Sequence, residues 1–338
     1  MFALLPRDIL QHEIRPKLDD ITLLCLRIAF GIGKYPRCPK KLDPELQQQV
    51  VSHGVELTKH FEKLYLLQVD RIQEYAVQSG RIDVLKYATA MVYGNRYVDL
   101  HGVAATYGRL DMLKYLCDRE VPKSKHYAFI KAAFHGHLDC LRYLHQRFGW
   151  DREWTREYNS ITHNAAIGGR LDCLKYAYEN GCEWNFSEDI VQRGHTDIIE
   201  YAIIKNKLTL STSYCVIAAR HGRLECLKLL FHSGLPLSKD VVIEAARNNH
   251  MACIEFAYEH GCEWDTRVCN LAARNGNLKL LQYAHEHGCP WDDITCLAAA
   301  QYQNLPCLQY ARKNDCPWNK NLCFKMSFGA TRSWIRDN

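Results

Sequence analysis

The sequence is short of the features that most often announce a function. No stretch of about 18 uncharged apolar residues occurs, so no membrane span is expected. Neither sign of charge dominates. Lys plus Arg is 43 against 38 Asp plus Glu, and a balance of +5 over 338 residues is too mild to demand a nucleic-acid partner. The opening, MFALLPRDIL, has no basic n-region and carries Asp8, with Glu13 close behind. A secretory leader is therefore not read here, and a cytoplasmic or nuclear setting is expected. There is no G-x-S-x-G, no Walker lysine loop, no H-E-x-x-H and no C-x-x-C. Gly31-Ile-Gly33-Lys34 has the residues of a phosphate loop without its spacing, and reads as a linker. The expectation is a protein that is not an enzyme and that needs no cofactor and no metal.

What is present is an ordinary globular composition, 47% hydrophobic and 24% charged, which excludes wholesale disorder. The length allows two domains or one extended one. The sixteen cysteines are unusual. In a small secreted chain they would mean a disulfide framework, but this chain is too long for that and shows no leader.

Internal repetition explains them. SGRIDVLKYA from Ser79, YGRLDMLKYL from Tyr107 and HGHLDCLRYL from His135 are versions of one unit, and six further versions follow, ending with YQNLPCLQYA from Tyr302. The second position of each copy falls at 80, 108, 136, 169, 194, 222, 249, 276 and 303, so the spacings are 28, 28, 33, 25, 28, 27, 27 and 27. A weak tenth copy sits at His53-Gly54. Each unit reads as two short helices. The first carries a small pair before the turn, as at Ala104-Ala105, Ala132-Ala133, Ala165-Ala166, Ala218-Ala219, Ala245-Ala246 and Ala272-Ala273. Alanine favours helix and lets backbones approach closely, and Gly or Asn at the turn suits a left-handed helix C-cap. The second helix has helical apolar spacing, with Leu278, Leu281 and Ala284 as its face. It ends at a second Gly (181, 234, 261 or 288), and Cys-x-Trp follows at Cys182–Trp184, Cys262–Trp264, Cys289–Trp291 and Cys316–Trp318.

Thirteen cysteines fall in three columns of this unit. Reduced cysteine behaves as a small core residue. Members of one column stand about 8–10 Å apart, the helix-packing distance, whereas zinc ligands must converge at about 2.3 Å. The sharpest metal-like cluster, His285-x-His287-x-Cys289, occupies ordinary repeat positions and reads as polar surface beside a core thiol. His137, after the turn Gly136, is expected to cap or to hydrogen-bond across repeats.

The layout of Ala-Ala, two residues, Gly, x, Leu, then a helix ending in Gly and a small residue, resembles the ankyrin repeat. The T-P-L-H opening of that family is absent, and its period of 33 falls here to 27 or 28. The missing residues are taken from the hairpin finger between repeats. A leucine-rich repeat has a compatible period, but the Ala-Ala helices and the Gly-capped second helix argue against it. The GCPWD-type endings are similar to those of ankyrin proteins of giant DNA viruses and of some protists; a viral origin would put the protein in a host cell. The fold class expected is therefore all-α, an ankyrin-like helical-repeat solenoid of about nine short repeats over 78–320, with a C-terminal cap at 321–338.

Residues 1–77 differ. Residues 1–30 pair Leu4, Leu5, Pro6, Ile9, Leu10, Ile14 and Leu18 with a Leu-rich second helix, and 31–77 hold a Gly/Pro-rich linker and the decayed repeat. The opening resembles an F-box, a helical module that docks on the Skp adaptor of cullin ubiquitin ligases. Leu5, Pro6, Ile9, Leu10, Ile14 and Leu18 would then contact that adaptor. The family's third helix, with its basic and Trp positions, is hard to place here. A plain helical cap over the first repeat's apolar face accounts for the same residues, since a solenoid needs one.

With no catalytic constellation, the expected function is a protein-interaction scaffold. It is either a substrate adaptor for a cullin ligase or a structural or virion-associated interaction protein without a ligase link. The partner is expected on the concave face of the repeats, along the variable strip before each Ala-Ala pair. That strip includes Lys123, Lys125, His126, Lys239, Asp240, Asp265, Arg267, Asp292 and Asp293. The long repeat adds Arg152, Trp154 and Arg156, residue types enriched at binding hot spots, although Trp154 packing on a neighbouring loop would serve structure alone.

Overall fold

The small pair and the turn residue decide the architecture of each unit. The computed structural model describes residues 44–52, 55, 58, 69–91, 99–119, 125–150, 160–205, 207 and 211–338. These residues form helices joined by turns and short loops, with no strand among them. The F-box-like residues, the Gly31–Lys34 stretch and the His53-Gly54 copy lie outside them.

After α1 (Pro44–Ser52) come ten helix–turn–helix pairs. In the first part of the chain they are α2 (Val69–Ser79) with α3 (Ile82–Met91), α4 (Leu100–Thr106) with α5 (Leu110–Arg119), and α6 (Lys125–His135) with α7 (Leu138–Phe148). Next are α8 (Ile161–Ile167) with α9 (Leu171–Glu179), α10 (Glu188–Arg193) with α11 (Thr196–Ile204), and α12 (Ser213–Arg220) with α13 (Leu224–His232). The last four are α14 (Lys239–Arg247) with α15 (Met251–Glu259), α16 (Thr266–Asn275) with α17 (Leu278–Glu286), α18 (Asp293–Gln301) with α19 (Leu305–Lys313), and α20 (Lys320–Met326) with α21 (Gly329–Asp337). Contacts divide the chain into two compact units at Trp150/Asp151, in the insertion of the 33-residue repeat. Within each unit the fold is the expected all-α helical repeat, first helix against first helix and second against second.

All nine turn positions take a left-handed conformation: Gly80, Gly108, Gly136, Gly169, Gly194, Gly222, Asn249, Gly276 and Gln303. The residue after each donates its N–H to the carbonyl five residues back, as Arg109 does to Ala104 at 2.9 Å and His137 to Ala132 at 2.9 Å. Carbonyls at the helix end that lack intrahelical partners are thereby satisfied. The second helices end the same way, with Cys182, Cys262, Cys289 and Cys316 donating to Ala177, Ala257, Ala284 and Ala311.

The side chain after the turn then reaches across to the preceding repeat. His137 Nε2 donates to the Thr106 carbonyl at 2.9 Å and His195 Nε2 to Ile167 at 3.1 Å. Arg109 and Arg223 use Nε on Gln78 and Gln192 at 3.0 Å each, and Asn304 Nδ2 bonds the Ala273 and Arg274 carbonyls at 2.8 Å. The turn glycine makes room for this clamp. A Cβ on Gly169 would lie 2.5 Å from His195 Cε1, and one on Gly276 would lie 2.6 Å from Asn304 Oδ1.

The alanine pairs are fully buried, and a seventh pair, Ala299-Ala300, continues the column. The second-helix face differs in detail from its expected form. Leu280, Leu281 and Ala284 are buried, while Leu278 is half-exposed. The buried stripe runs i, i+1, i+4 because each second helix packs on its own first helix as well as on second-helix neighbours. Cys140, Cys173, Cys226, Cys253 and Cys307 take the first place of this stripe. The Trp that follows the second turn packs back on its own repeat. Trp264 stacks on Tyr258 at 4.7 Å between ring centroids, Trp291 on His285 at 3.8 Å, and Arg312 lies over Trp318 at 4.8 Å. At the C-terminus, residues assigned to a cap without a second helix form the tenth pair. Cys323, Thr331 and Ile335 are buried there, and Phe328 is 64% exposed.

Leu281→Ala should cost about 2–5 kcal/mol in chemical denaturation, the range for a fully buried leucine. Gly169→Ala and Gly234→Ala both place Cβ at positive φ, worth about 1–2 kcal/mol. Only Gly169 also meets the clamp, at His195, since nothing lies within 4 Å of a Cβ on Gly234. Gly169→Ala should therefore be the more damaging by about 1–3 kcal/mol in the same assay; equal losses would mean that the clamp carries no weight.

Candidate functional site

The repeat fails to keep its own pattern at one place. The fifth first helix, α10, has six residues and carries Ile190-Val191 where its neighbours have Ala-Ala. It follows the previous turn after only 25 residues. Branched side chains hold backbones further apart than alanine does, and within the unit beginning at Asp151 the contacts of α10 with α8 and α12 are the sparsest between first helices. The space left is a groove of about 890 Å³ across the fourth to sixth repeats. His163 from α8, Gln192 from α10 and Ile217 and His221 from α12 line it, together with the 183–187 loop.

The groove is lined by both acidic and aromatic residues. Glu183, Glu188 and Asp189 line it and are exposed. Glu188 accepts a hydrogen bond from Ser213 Oγ at 3.0 Å. Phe186 meets Tyr214 edge-on, with centroids 5.2 Å apart. Arg220 is the lining guanidinium, and its Nε is turned to Glu244 of the next repeat at 3.0 Å. Burial pushes the His163 imidazole below its ordinary pKa, opposed in part by Asp189. The Ser187 hydroxyl, at the N-cap of α10, is buried and has no hydrogen-bond partner.

A smaller depression of about 290 Å³ lies in the seventh to ninth repeats. Arg247, Arg267 and Arg274 line it, with Ile294 51% and Tyr302 46% exposed. Arg274 stacks over the Tyr302 ring at 5.0 Å.

The strip residues fall at or near the starts of first helices. Lys239 and Asp240 are exposed in the first turn of α14. Asp265 caps α16, accepting from the Arg267 N–H at 2.9 Å, and its carboxylate also takes Arg267 Nε at 2.8 Å. The Arg267 guanidinium holds the Asp265 carboxyl down at about 2. Asp292 caps α18 through the Ile294 N–H at 3.1 Å, and Asp293 beside it is exposed. Lys125 and His126 are half-buried at the start of α6, with Lys125 Nζ 5.2 Å from the centre of the Phe148 ring. Lys123, Arg152, Trp154 and Arg156 lie outside the described residues. None of the strip residues lines the larger groove, although the Ser211–Ser213 turn that belongs to the same strip does reach Glu188 through Ser213. The visible signal for the groove was the 25-residue spacing.

The cysteines are core residues. The fourteen described are buried, none is in a disulfide, and no cluster of three or more His, Cys, Asp or Glu among the described residues could hold a metal ion. In the His285–Cys289 segment, His285 stacks on Trp291, His287 Nδ1 donates to the Tyr283 carbonyl at 2.8 Å, and the Cys289 thiol points to the Asp265 carbonyl at 3.5 Å. Separate columns do meet inside a repeat, contrary to the spacing argument along one column. Cys269 shares a thiol hydrogen bond with Cys289, which together with burial drives its pKa far up. Cys296 does the same with Cys316, whose pKa is lowered by accepting that bond. Burial pushes Cys140, Cys226, Cys253 and Cys307 up to about 11 and Cys182 to about 12.

Residues 100–188 match the family model for ankyrin repeats, in three copies. Ankyrin-type repeats are thus shown for that segment. No curated protein matches the chain at a significant level. Among solved structures, the human ASB11 ankyrin repeat domain is similar, at 18% identity over 56% of this chain and 84% of that one, with a TM-score of 0.28. No helix among the described residues is long and apolar enough to cross a membrane.

Alkylation with iodoacetamide at pH 8 should leave Cys140, Cys226, Cys253 and Cys307 largely unmodified in the native protein and label them once it is unfolded. A buried thiol with a raised pKa holds little of the reactive thiolate. Peptide mass mapping before and after adding denaturant checks this, and rapid native labelling of these four would contradict their burial.

Proposed function

We propose that the protein is a non-catalytic scaffold that holds a partner protein against its repeats, with the groove of the fourth to sixth repeats as the main seat. The groove carries this reading. A stack of repeats with a constant small pair closes the gap between first helices, and here the gap is open, polar and lined by aromatic rings. Its volume suits several residues of a bound chain. The strip at the first-helix starts, with Lys239, Asp240, Asp265, Arg267, Asp292 and Asp293, extends the contact.

The F-box-like residues Leu5, Pro6, Ile9, Leu10, Ile14 and Leu18 support a second half to the proposal. Through them the scaffold joins a Skp-type adaptor and a cullin, which makes the bound partner a ligase substrate. The test is affinity capture with the full chain and with its Leu5→Ala/Pro6→Ala variant. The adaptor and cullin should be captured by the first and lost from the second, while other captured proteins stay. If the full chain captures no adaptor, the ligase link is lost and the reading reduces to a scaffold whose N-terminal segment only caps the repeats.

A further inference from the structure

The partner's chemistry follows from what the groove presents and what it withholds. Three carboxylates, Glu183, Glu188 and Asp189, face the open space. The one lining guanidinium, Arg220, is engaged by Glu244 on the following repeat at 3.0 Å. Glu188 is already held by Ser213, so little side-chain freedom is lost when it takes a charged donor. Phe186 and Tyr214, in edge contact, also line the groove; Tyr214 is largely buried and Phe186 half-exposed, and aromatic faces attract cations. The desolvated His163 favours its neutral form, and so adds no competing positive charge near neutral pH.

We propose that this groove receives a basic linear segment of the partner, with a Lys or Arg side chain entering between the Glu188–Asp189 carboxylates and the Phe186–Tyr214 rings. This rests on the scaffold reading and adds the chemistry of what is bound. Carboxylates lining the groove repel an acidic segment, and like-charge juxtaposition is an efficient way to reject wrong partners. The site needs no covalent step and no cofactor.

The probe is a set of three fluorescein-labelled twelve-residue peptides of alternating Gly and Arg, Gly and Gln, or Gly and Glu, titrated against the full-length protein by fluorescence anisotropy. The Arg peptide should bind saturably, at least about tenfold more tightly than the Gln peptide, and should weaken as salt rises. Glu188→Gln with Asp189→Asn should abolish that preference while leaving the melting temperature nearly unchanged. Glu225→Gln, an exposed carboxylate paired with Lys228 away from the groove, should leave it intact. Equal binding of the three peptides, or a preference for Arg that survives the double variant, overturns the inference. The scaffold reading is judged separately, by capture. If the full chain captures partner proteins equally well with and without Glu188→Gln/Asp189→Asn, the scaffold stands and the groove is not its basic-segment site.

Discussion

The hydrogen bond from one repeat's post-turn side chain to the last carbonyls of the repeat before it ties local conformation to stacking. It needs a left-handed residue at each turn, because only then does the following residue point toward its neighbour. It usually needs that residue to be glycine as well, because a Cβ would occupy the space of the incoming His, Arg or Asn. One position thus serves the helix end and the repeat interface together. The alanine pairs act at the same level, by letting first helices approach until the clamp can close. The conformational demand and the packing demand cannot be separated by mutation except where the second turn, as at Gly234, has the φ without the neighbour.

Three turns break the glycine rule. Asn249, Gln303 and Asp315 hold φ near 60° with full side chains, and all three lie in the last repeats. Asn249 turns the exception to use, because its Oδ1 accepts from Asn277 Nδ2 at 3.2 Å, a side-chain version of the clamp. Gln303 bonds forward instead, accepting from the Phe328 N–H at 3.3 Å and so tying the ninth repeat to the tenth. Asp315 stands where a second-helix Gly would be, and no hydrogen bond of its side chain offsets the strain.

Much of this architecture could be read from the chain. The turn positions, the buried small pairs and the core role of the cysteines follow from a spacing that repeats often enough to align with itself. Glycine punctuates it, so even Asn249 and Gln303 were found by their neighbours. The second-helix face was misread by one residue, because a helix packed on three sides buries adjacent positions that a single-sided period does not anticipate. The groove was not legible. The short spacing at α10 was in view, but whether missing residues close a stack or open it depends on the width of Ile190 and Val191 against the helices beside them. Asp265 and Asp292 show the opposite failure. A charged residue before a helix looks the same whether it awaits a partner or caps that helix, and in the structure both accept N–H groups of their own turn.

The six-residue helix α10 has a mechanical consequence as well. Repeats joined only to their neighbours behave as links in series, and a series yields at its weakest member. Pulled from its ends, the unit beginning at Asp151 would part at the fifth repeat, where the first-helix layer is thinnest. A segment lying in the groove bridges the fourth, fifth and sixth repeats and would act as a splint across that weak link. Occupancy would then show itself as a higher rupture force, so that the place where the stack is softest is also where a ligand can stiffen it most.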